Sequence, residues 1–466
     1  MTHTFNPIIL REYDIRGIVE ENLTQKDAYA LARSTASIAV KKGLPKTAVI
    51  GFDGRLSSPE MAEGLSNGFK DSGFDVINVG LCPTPLLYMA GKEFNSSVAI
   101  MVTGSHNPAE YNGFKIMLNG KSFFGKDILA LGNISKVGDW VNGEGTTTVQ
   151  DFSDFYANRL LQDYNIDASF NIVWDAGNGA MGAVLEKITS RLSGEHILIN
   201  NEVDGTFPAH HPDPTVESNL EQLKSEVLSR NFDMGIAFDG DGDRIGIIDN
   251  KARVLWGDQM LCILARPVLK ENPNAPILSD VKASDVLFQE IDRMGGRGIM
   301  VATGHSIVKT RMIEENSPLA GEMSAHIFFA DTFYGHDDAL YVGLRFMNAV
   351  HDEKQTVAEI RDSLPQMVNT PEIRIEVNEE DKFPIVADLK QTMLNKGVEV
   401  CDIDGVRVRT KTGWWLCRAS NTQNAITMRF EADTQTNLDA LILEVSELLA
   451  PYNIKSNFKN LLKLEA

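Results

Sequence analysis

Asp239, Asp241 and Asp243 are separated by single glycines in FDGDGDR, residues 238–244, between the apolar runs MGIAF and IGIID. Carboxylates at every second position of one tight loop turn inward together, and their convergent oxygens suit a hard divalent cation. A calcium EF-hand fails on the same residues. Arg244 stands at the sixth position where glycine is needed, Asn250 at the twelfth where a bidentate glutamate is needed, and the flanks read as strands, not helices. A solvated acidic turn would hold three like charges together with no counterion. The loop is therefore expected to bind a metal.

A second polar stretch, SHNPAEYNGFK at 105–115, follows the strand-like run SSVAIMVTG. Ser105 beside His106 invites a hydrolase reading, but neighbouring side chains of an extended loop point to opposite sides and no G-x-S-x-G elbow is present. If Ser105 lies beside the aspartate loop, a phosphate on its oxygen completes the coordination. Such a group carries about −1.5 to −2 charge and calls for Lys115 and backbone N–H groups around it. Ser105 is thus expected to carry phosphate.

The elements that must position these loops repeat a pattern. AVIGFDGR (48–55), NIVWDAGNGA (171–180), MGIAFDGDGDR (234–244) and PILSDVKAS (276–284) are apolar runs that end in acidic or glycine-rich turns, with helical spacing after them. Strand, turn, helix is the α/β signature, and ligands gather at the carboxyl ends of such strands. Junctions at VNGEGTTTVQDF (141–152), after IGIID near 253, and at LPQMVNTPEI (364–373) divide the chain into 1–150, 151–253, 254–365 and 366–466. The last segment changes to strands EIRIEV, GVRVRT, WWLCRAS and AITMRFEA with a final helix LDALILEVSELLA, an α+β pattern.

The 466 residues are 43% hydrophobic, enough for several cores. Lys plus Arg number 44 against 64 Asp plus Glu, a net charge of −20, which excludes nucleic acid and anionic membrane as main partners. An anionic ligand then needs a locally basic site. Cys82, Cys262, Cys401 and Cys417 lie far apart without a C-x-x-C pair, so reduced thiols and a cytoplasmic location are expected. The N-terminal run PIIL is too short for a signal peptide, and no apolar run is long enough to span a membrane.

TGSHNPAEYNGFKI (103–116), FDGDGDR (238–244), GEMSAH (321–326) and RASNT (418–422) together resemble the α-D-phosphohexomutases, in particular the bacterial phosphomannomutase/phosphoglucomutase branch. REYDIRG (11–17), VDGTFPAHHPDP (203–214) and TGHS (303–306) extend the likeness along the whole chain. The resemblance implies three similar α/β domains with mixed sheets, a fourth resembling the TATA-box-binding-protein fold, and an active site in a central cleft. It implies Ser105 as the phosphoserine, and Asp239, Asp241, Asp243 and a phosphoserine oxygen as ligands of Mg2+. His106 and Arg244 join the catalytic residues, Arg244 as a phosphate contact. Tyr13, Arg16 and Lys115 would sit at the reacting phosphoryl group, Lys282 and His305 in sugar-phosphate loops, and Glu322, Ser324 and His326 on the sugar. Arg418, Ser420, Asn421 and Thr422 would hold the non-reacting phosphate.

Phosphoryl transfer between two hydroxyls needs a metal, positioning cations and proton movers on each side. Lys115 and His326 are the candidate acid and base, with Arg16 assisting. The expected reaction moves phosphate reversibly between C1 and C6 of a mannose or glucose phosphate through a hexose 1,6-bisphosphate, which also serves as activator. The expected protein is a monomer. The alternatives are a phosphoglucosamine mutase, against which Met323 in GEMSAH is thin evidence, and a metal-dependent phosphosugar phosphatase. Taken singly, GEMSAH reads as a polar turn, RASNTQNA as a strand exit, His210 and His211 as loop residues, and Trp414 and Trp415 as packing. Two departures stand out: Ala325 occupies a usual glycine position of the sugar loop, and Gln423 and Asn424 have no assigned role.

Overall fold

The chain forms four sheets in a computed structural model that describes residues 2–420, 424–452 and 454. In the first sheet, Thr47–Phe52 pairs in parallel with Asp75–Leu81 and Val98–Val102. Tyr111–Leu118 then runs antiparallel to Val98–Val102 on one side and to Ile15–Ile18 on the other. The register sets Arg16 opposite Gly113, two residues from Lys115, so strand alternation turns both cations to one face.

The second and third sheets repeat this plan. Met234–Phe238 is parallel to Ile172–Asp175 and forms an antiparallel hairpin with Ile245–Asp249. Leu319–Gly321 is parallel to Pro276–Asp280 and forms a hairpin with Ile327–Phe329. In all three mixed sheets, therefore, a parallel strand passes through a polar loop into an antiparallel neighbour. Those loops are 103–110, 239–244 and 322–326. The observed flanks of 239–244 are strands, as the rejection of an EF-hand requires. This corrects the helical spacing expected after MGIAFDGDGDR, because Ile245–Asp249 turns back as an antiparallel neighbour of Met234–Phe238.

The fourth sheet is antiparallel, with Gly413–Ala419 and Ala425–Ala432 at its centre and Arg418 at the end of the first of these strands. Helices Lys382–Asn395 and Gln435–Leu448 pack on it. The first of these is absent from the reading of the sequence. Pro384 lies in its first turn, where no intrahelical N–H is required, so a residue that reads as a breaker is tolerated there.

One apolar core is shared by the three α/β domains, with Trp174 stacked on Phe238 inside it, and each of the three has a further core on its other face. The fourth domain has its own core and meets the third where Val281 packs on Trp414 and Leu416. Trp414 and Trp415 are both buried packing residues. Arg407 and Arg429 stand over the Trp414 ring and donate to the backbone carbonyls of Val281, Ala283 and Lys282. The shared core and this seam hold the three polar loops and Arg418 of the fourth domain against one another.

Candidate active site

Ser105 is buried at a backbone φ of 51°, in the left-handed region that a residue with a Cβ adopts at a cost. Its N–H donates to Thr103 Oγ1 at 2.8 Å, and its hydroxyl donates to Asp239 Oδ2 at 3.1 Å. The same turn brings Ser105 Oγ to 3.2 Å from His106 Nδ1. This corrects the expectation of opposite-facing side chains, which holds only for extended backbone. Burial, with Arg244, Arg16 and Lys115 nearby, lowers the His106 pKa well below the usual range and keeps the ring neutral.

The aspartate loop meets the serine loop directly. Gly240 is pressed so close that a Cβ would stand 2.5 Å from the Ser105 carbonyl oxygen, so any side chain there would part the two loops. Asp239 Oδ1 closes its own turn by accepting the N–H groups of Gly242, Asp243 and Arg244 at 3.0–3.1 Å. Lys115 donates to Asp241 Oδ2 at 2.6 Å and to Asp243 Oδ2, and Thr84 Oγ1 also donates to Asp241 Oδ2. Burial, reinforced by Asp241 and Asp243, pushes the Asp239 carboxyl well up. For Asp241 burial acts in the same sense, but Lys115 and Thr84 overcome it and hold the group at about 2.

One oxygen from each of the three aspartates lies within 4.8 Å of the others. Asp241 Oδ1 and Asp243 Oδ1 are buried without a hydrogen-bond partner among the described residues. Buried carboxylate oxygens left in that state are costly unless a cation satisfies them. The donor set is all oxygen, which fits magnesium.

From the third domain, His326 Nε2 accepts a hydrogen bond from Arg244 Nε at 3.0 Å. Its ring proton must then sit on Nδ1, which lies 3.0 Å from Asp337 Oδ2 and 3.6 Å from Asp243 Oδ1. His305 stacks on His326 with ring centroids 5.3 Å apart. Glu322 is buried and accepts the Gly304 N–H at 2.7 Å. Burial raises its pKa, and His326 and Lys282 oppose that. Ser324 is half-buried on the same turn. Ala325 has a φ of 68°, so the Cβ stands where glycine would be unstrained.

Tyr13 reaches from the first domain to donate its hydroxyl to the Thr303 carbonyl at 2.9 Å, and Arg16 donates to Asn107 Oδ1 at 2.7 Å and to Asp14. Lys282 lies 3.2 Å from Glu372 and 3.7 Å from Asp280. Arg418 donates through Nε to Asp404 Oδ2 at 3.0 Å, and that oxygen also accepts the Thr303 N–H at 3.1 Å. Ser420 is buried beside it, while Asn421 and Thr422 lie outside the described residues. A connected chain of contacts thus runs from Ser105 through Asp239 and Arg244 to His326, and from Tyr13 through Thr303 to Arg418. All four domains contribute.

Several participants escaped the reading of the sequence. Asp337 receives Lys309 Nζ at 3.0 Å on the oxygen turned away from His326. Although burial opposes it, Lys309, His326 and His305 hold the Asp337 pKa well below the carboxylate range. Asp53, Arg55, Thr84 and Asp404 are the others. Asp53 and Arg55 stand in the quoted turn GFDGR, at a strand's carboxyl end, and that position was the available signal.

Comparison with known proteins agrees along the chain. Residues 7–136, 150–253 and 256–368 match the profiles of phosphoglucomutase/phosphomannomutase alpha/beta/alpha domains I, II and III, and 372–448 match the C-terminal domain of the same family. A Pseudomonas syringae phosphomannomutase/phosphoglucomutase is 40% identical over 433 residues, 93% of each chain. A Neisseria gonorrhoeae phosphoglucomutase is 39% identical over 437 residues, 93% of this chain and 95% of the relative. The crystal structure of a phosphoglucomutase/phosphomannomutase family protein from Burkholderia thailandensis superposes with a TM-score of 0.90 at 34% identity, covering 96% of this chain and 98% of that one.

Proposed function

The chain belongs to the phosphoglucomutase/phosphomannomutase family and is a hexose-phosphate mutase, and from that premise we propose that Ser105 carries the phosphoryl group that is exchanged between C1 and C6 of mannose or glucose phosphates. The observation that carries this reading is the 3.1 Å approach of the Ser105 hydroxyl to Asp239, within a triad that keeps two buried carboxylate oxygens without partners among the described residues. Asp239, Asp241 and Asp243, with an oxygen of the serine phosphate, would hold magnesium. When bound there, the ion neutralises charge on the transferring phosphoryl oxygens.

In the first half-reaction the Ser105 Oγ–P bond breaks as a bond forms from phosphorus to O6 of a hexose 1-phosphate, whose hydroxyl proton passes to a base. The bisphosphate then turns end for end, and the phosphate on O1 returns to Oγ. Lys115 and Arg16 project from one face of the first sheet and position the transferring group. His326 is the proton carrier on the sugar side, with Lys115 as its counterpart at the serine. A substrate phosphate draws Arg244 from His326 Nε2 and leaves that nitrogen able to take a proton. Glu322 accepts hydroxyl hydrogen bonds from either sugar orientation, and Lys282, His305 and Ser324 complete the sugar-phosphate side. Arg418 and Ser420, with Asn421 and Thr422, hold the phosphate that is not reacting. Tyr13 braces the third-domain loop through Thr303. Hexose 1,6-bisphosphate would recharge a dephosphorylated enzyme by giving one phosphate to Ser105.

No helix among the described residues is long and apolar enough to cross a membrane. The four free cysteines support a cytoplasmic enzyme, which we take to act as a monomer.

Phosphorus NMR of mannose, glucose and glucosamine 1-phosphates tests the reading. The 6-phosphates of mannose and glucose should appear, and intact-mass spectrometry should find phosphate on Ser105. Release of free phosphate alone would make the chain a phosphatase. Isomerisation of glucosamine phosphate alone would move it to the glucosamine branch.

A further inference from the structure

The turn GFDGR and the segment VDGTF contain residues that the reaction above does not use, yet they converge on the serine loop. Arg55 is 1% exposed, and all five of its N–H groups are engaged. Nη2 donates to the carbonyl oxygens of Ser105 at 2.7 Å and Asn107 at 2.6 Å. Nη1 donates to those of Pro108 and of Tyr111 at 2.9 Å, and Nε donates to Asp53 Oδ2 at 3.2 Å. Asp53 in turn accepts from the Thr103 hydroxyl at 2.8 Å, the Gly104 N–H at 3.2 Å and the Ser58 hydroxyl at 2.5 Å. One buried ion pair therefore grips the loop on both sides of Ser105, whose left-handed backbone is not self-supporting.

The second domain closes over this grip. The Phe207 ring covers the Arg55 guanidinium at 5.1 Å from its centroid. Gly205 lies so close that a Cβ would stand 2.5 Å from the Gly54 carbonyl oxygen and 2.6 Å from the Arg55 Cα. With every donor on a backbone carbonyl or Asp53, Arg55 has none left for a phosphate.

We propose that Arg55, braced by Asp53 and capped by Phe207, is a positioning residue that aims Ser105 Oγ for phosphoryl transfer. The proposal rests on the assignment of Ser105 as the phosphate carrier. Lysine at this site keeps the charge but cannot span four carbonyls with a planar fork. Displacement of a reacting atom by about 1 Å costs roughly 10²-fold in rate. Arg55→Lys should therefore lower kcat about 100-fold, with KM for the hexose 1-phosphate within about threefold of wild type. It should also shift phosphoryl loss from the sugar toward water. Guanidinium ion should restore part of the activity of Arg55→Ala. Phe207→Leu leaves the hydrogen bonds in place, and should lower kcat by about two- to fivefold.

The assay uses the full chain, recharged with glucose 1,6-bisphosphate and magnesium, with thermal melts and Ser105 phosphate content measured in parallel. If wild type carries phosphate on Ser105 and a folded Arg55→Lys turns over within twofold of it, the positioning role is wrong. If the lysine variant does not fold, an unchanged kcat in Phe207→Leu overturns the proposal instead. Wild type without phosphate on Ser105 while isomerising its substrate would remove the carrier assignment, and this proposal with it.

Discussion

Asp241 uses one carboxylate oxygen on Lys115 and Thr84 and leaves the other buried without a partner among the described residues. That division separates structure from chemistry at one residue. Asp241→Asn keeps the shape and leaves Lys115 paired with Asp243, while removing one of three crowded like charges. The melt should stay near wild type and kcat should fall by roughly 10²-fold or more; an unchanged magnesium-dependent rate would reject the ligand assignment. Ala325 makes a second case, at a φ of 68°. The left-handed backbone costs an alanine about 1–2 kcal/mol. Glycine avoids that cost, but adds about 0.5–1 kcal/mol of unfolded-chain entropy and forgoes burial of a methyl, about 0.8 kcal/mol. The terms nearly cancel, so Ala325→Gly should change stability by no more than about 1 kcal/mol in chemical denaturation. Ala325→Val, β-branched at the same angle, should destabilise measurably; equal stability of all three would show that the backbone angle is not held.

The segment around 203–214 shows how a loop is held when it has no regular structure of its own. His210 donates at Nε2 to Asp175 at 2.9 Å and at Nδ1 to the His211 carbonyl at 3.0 Å. Two acceptors on one ring favour the imidazolium. Burial opposes the charge, but the Asp175 hydrogen bond and charge prevail and the His210 pKa is raised. A raised histidine stabilises the folded state fully below its unfolded pKa, about 6.5, and that contribution is lost as pH rises through the folded value. The melting difference between wild type and His210→Gln should therefore be largest below about pH 6.5 and shrink above it. A difference that stays constant from pH 6 to 9 would reject the charged pair.

Across the whole molecule, the fourth domain is tied to the site through Arg418, Asp404 and the Thr303 N–H. A phosphate arriving at Arg418 would exchange one anionic partner for another. Charge-assisted hydrogen bonds of this kind contribute about 1.5–3 kcal/mol, or about ten- to more than a hundredfold in affinity. Arg418→Ala should raise KM for the 1-phosphate and the 6-phosphate alike and leave Ser105 phosphorylation intact. Loss with one isomer only would mean that the fourth domain does not serve both substrate orientations.

Much of this protein is legible in local sequence. The alternating aspartates, the polar run after SSVAIMVTG and the repeated strand–turn–helix pattern report chemistry and fold class, because side-chain periodicity and turn composition act over a few residues. The helix Lys382–Asn395 was hidden by a proline whose meaning depends on its place in the first turn. What only the tertiary structure decided is which distant groups meet. Ser105 finds Asp239 across 134 residues, Arg55 reaches the serine loop from 50 residues before it, and Asp337 orients His326 while Lys309 holds the carboxylate. No spacing encodes those pairs, because they follow from the docking of sheets that share a core. The left-handed turn at Ser105 likewise exists only where Arg55 and Thr103 hold it, since an isolated chain would relax to the extended form.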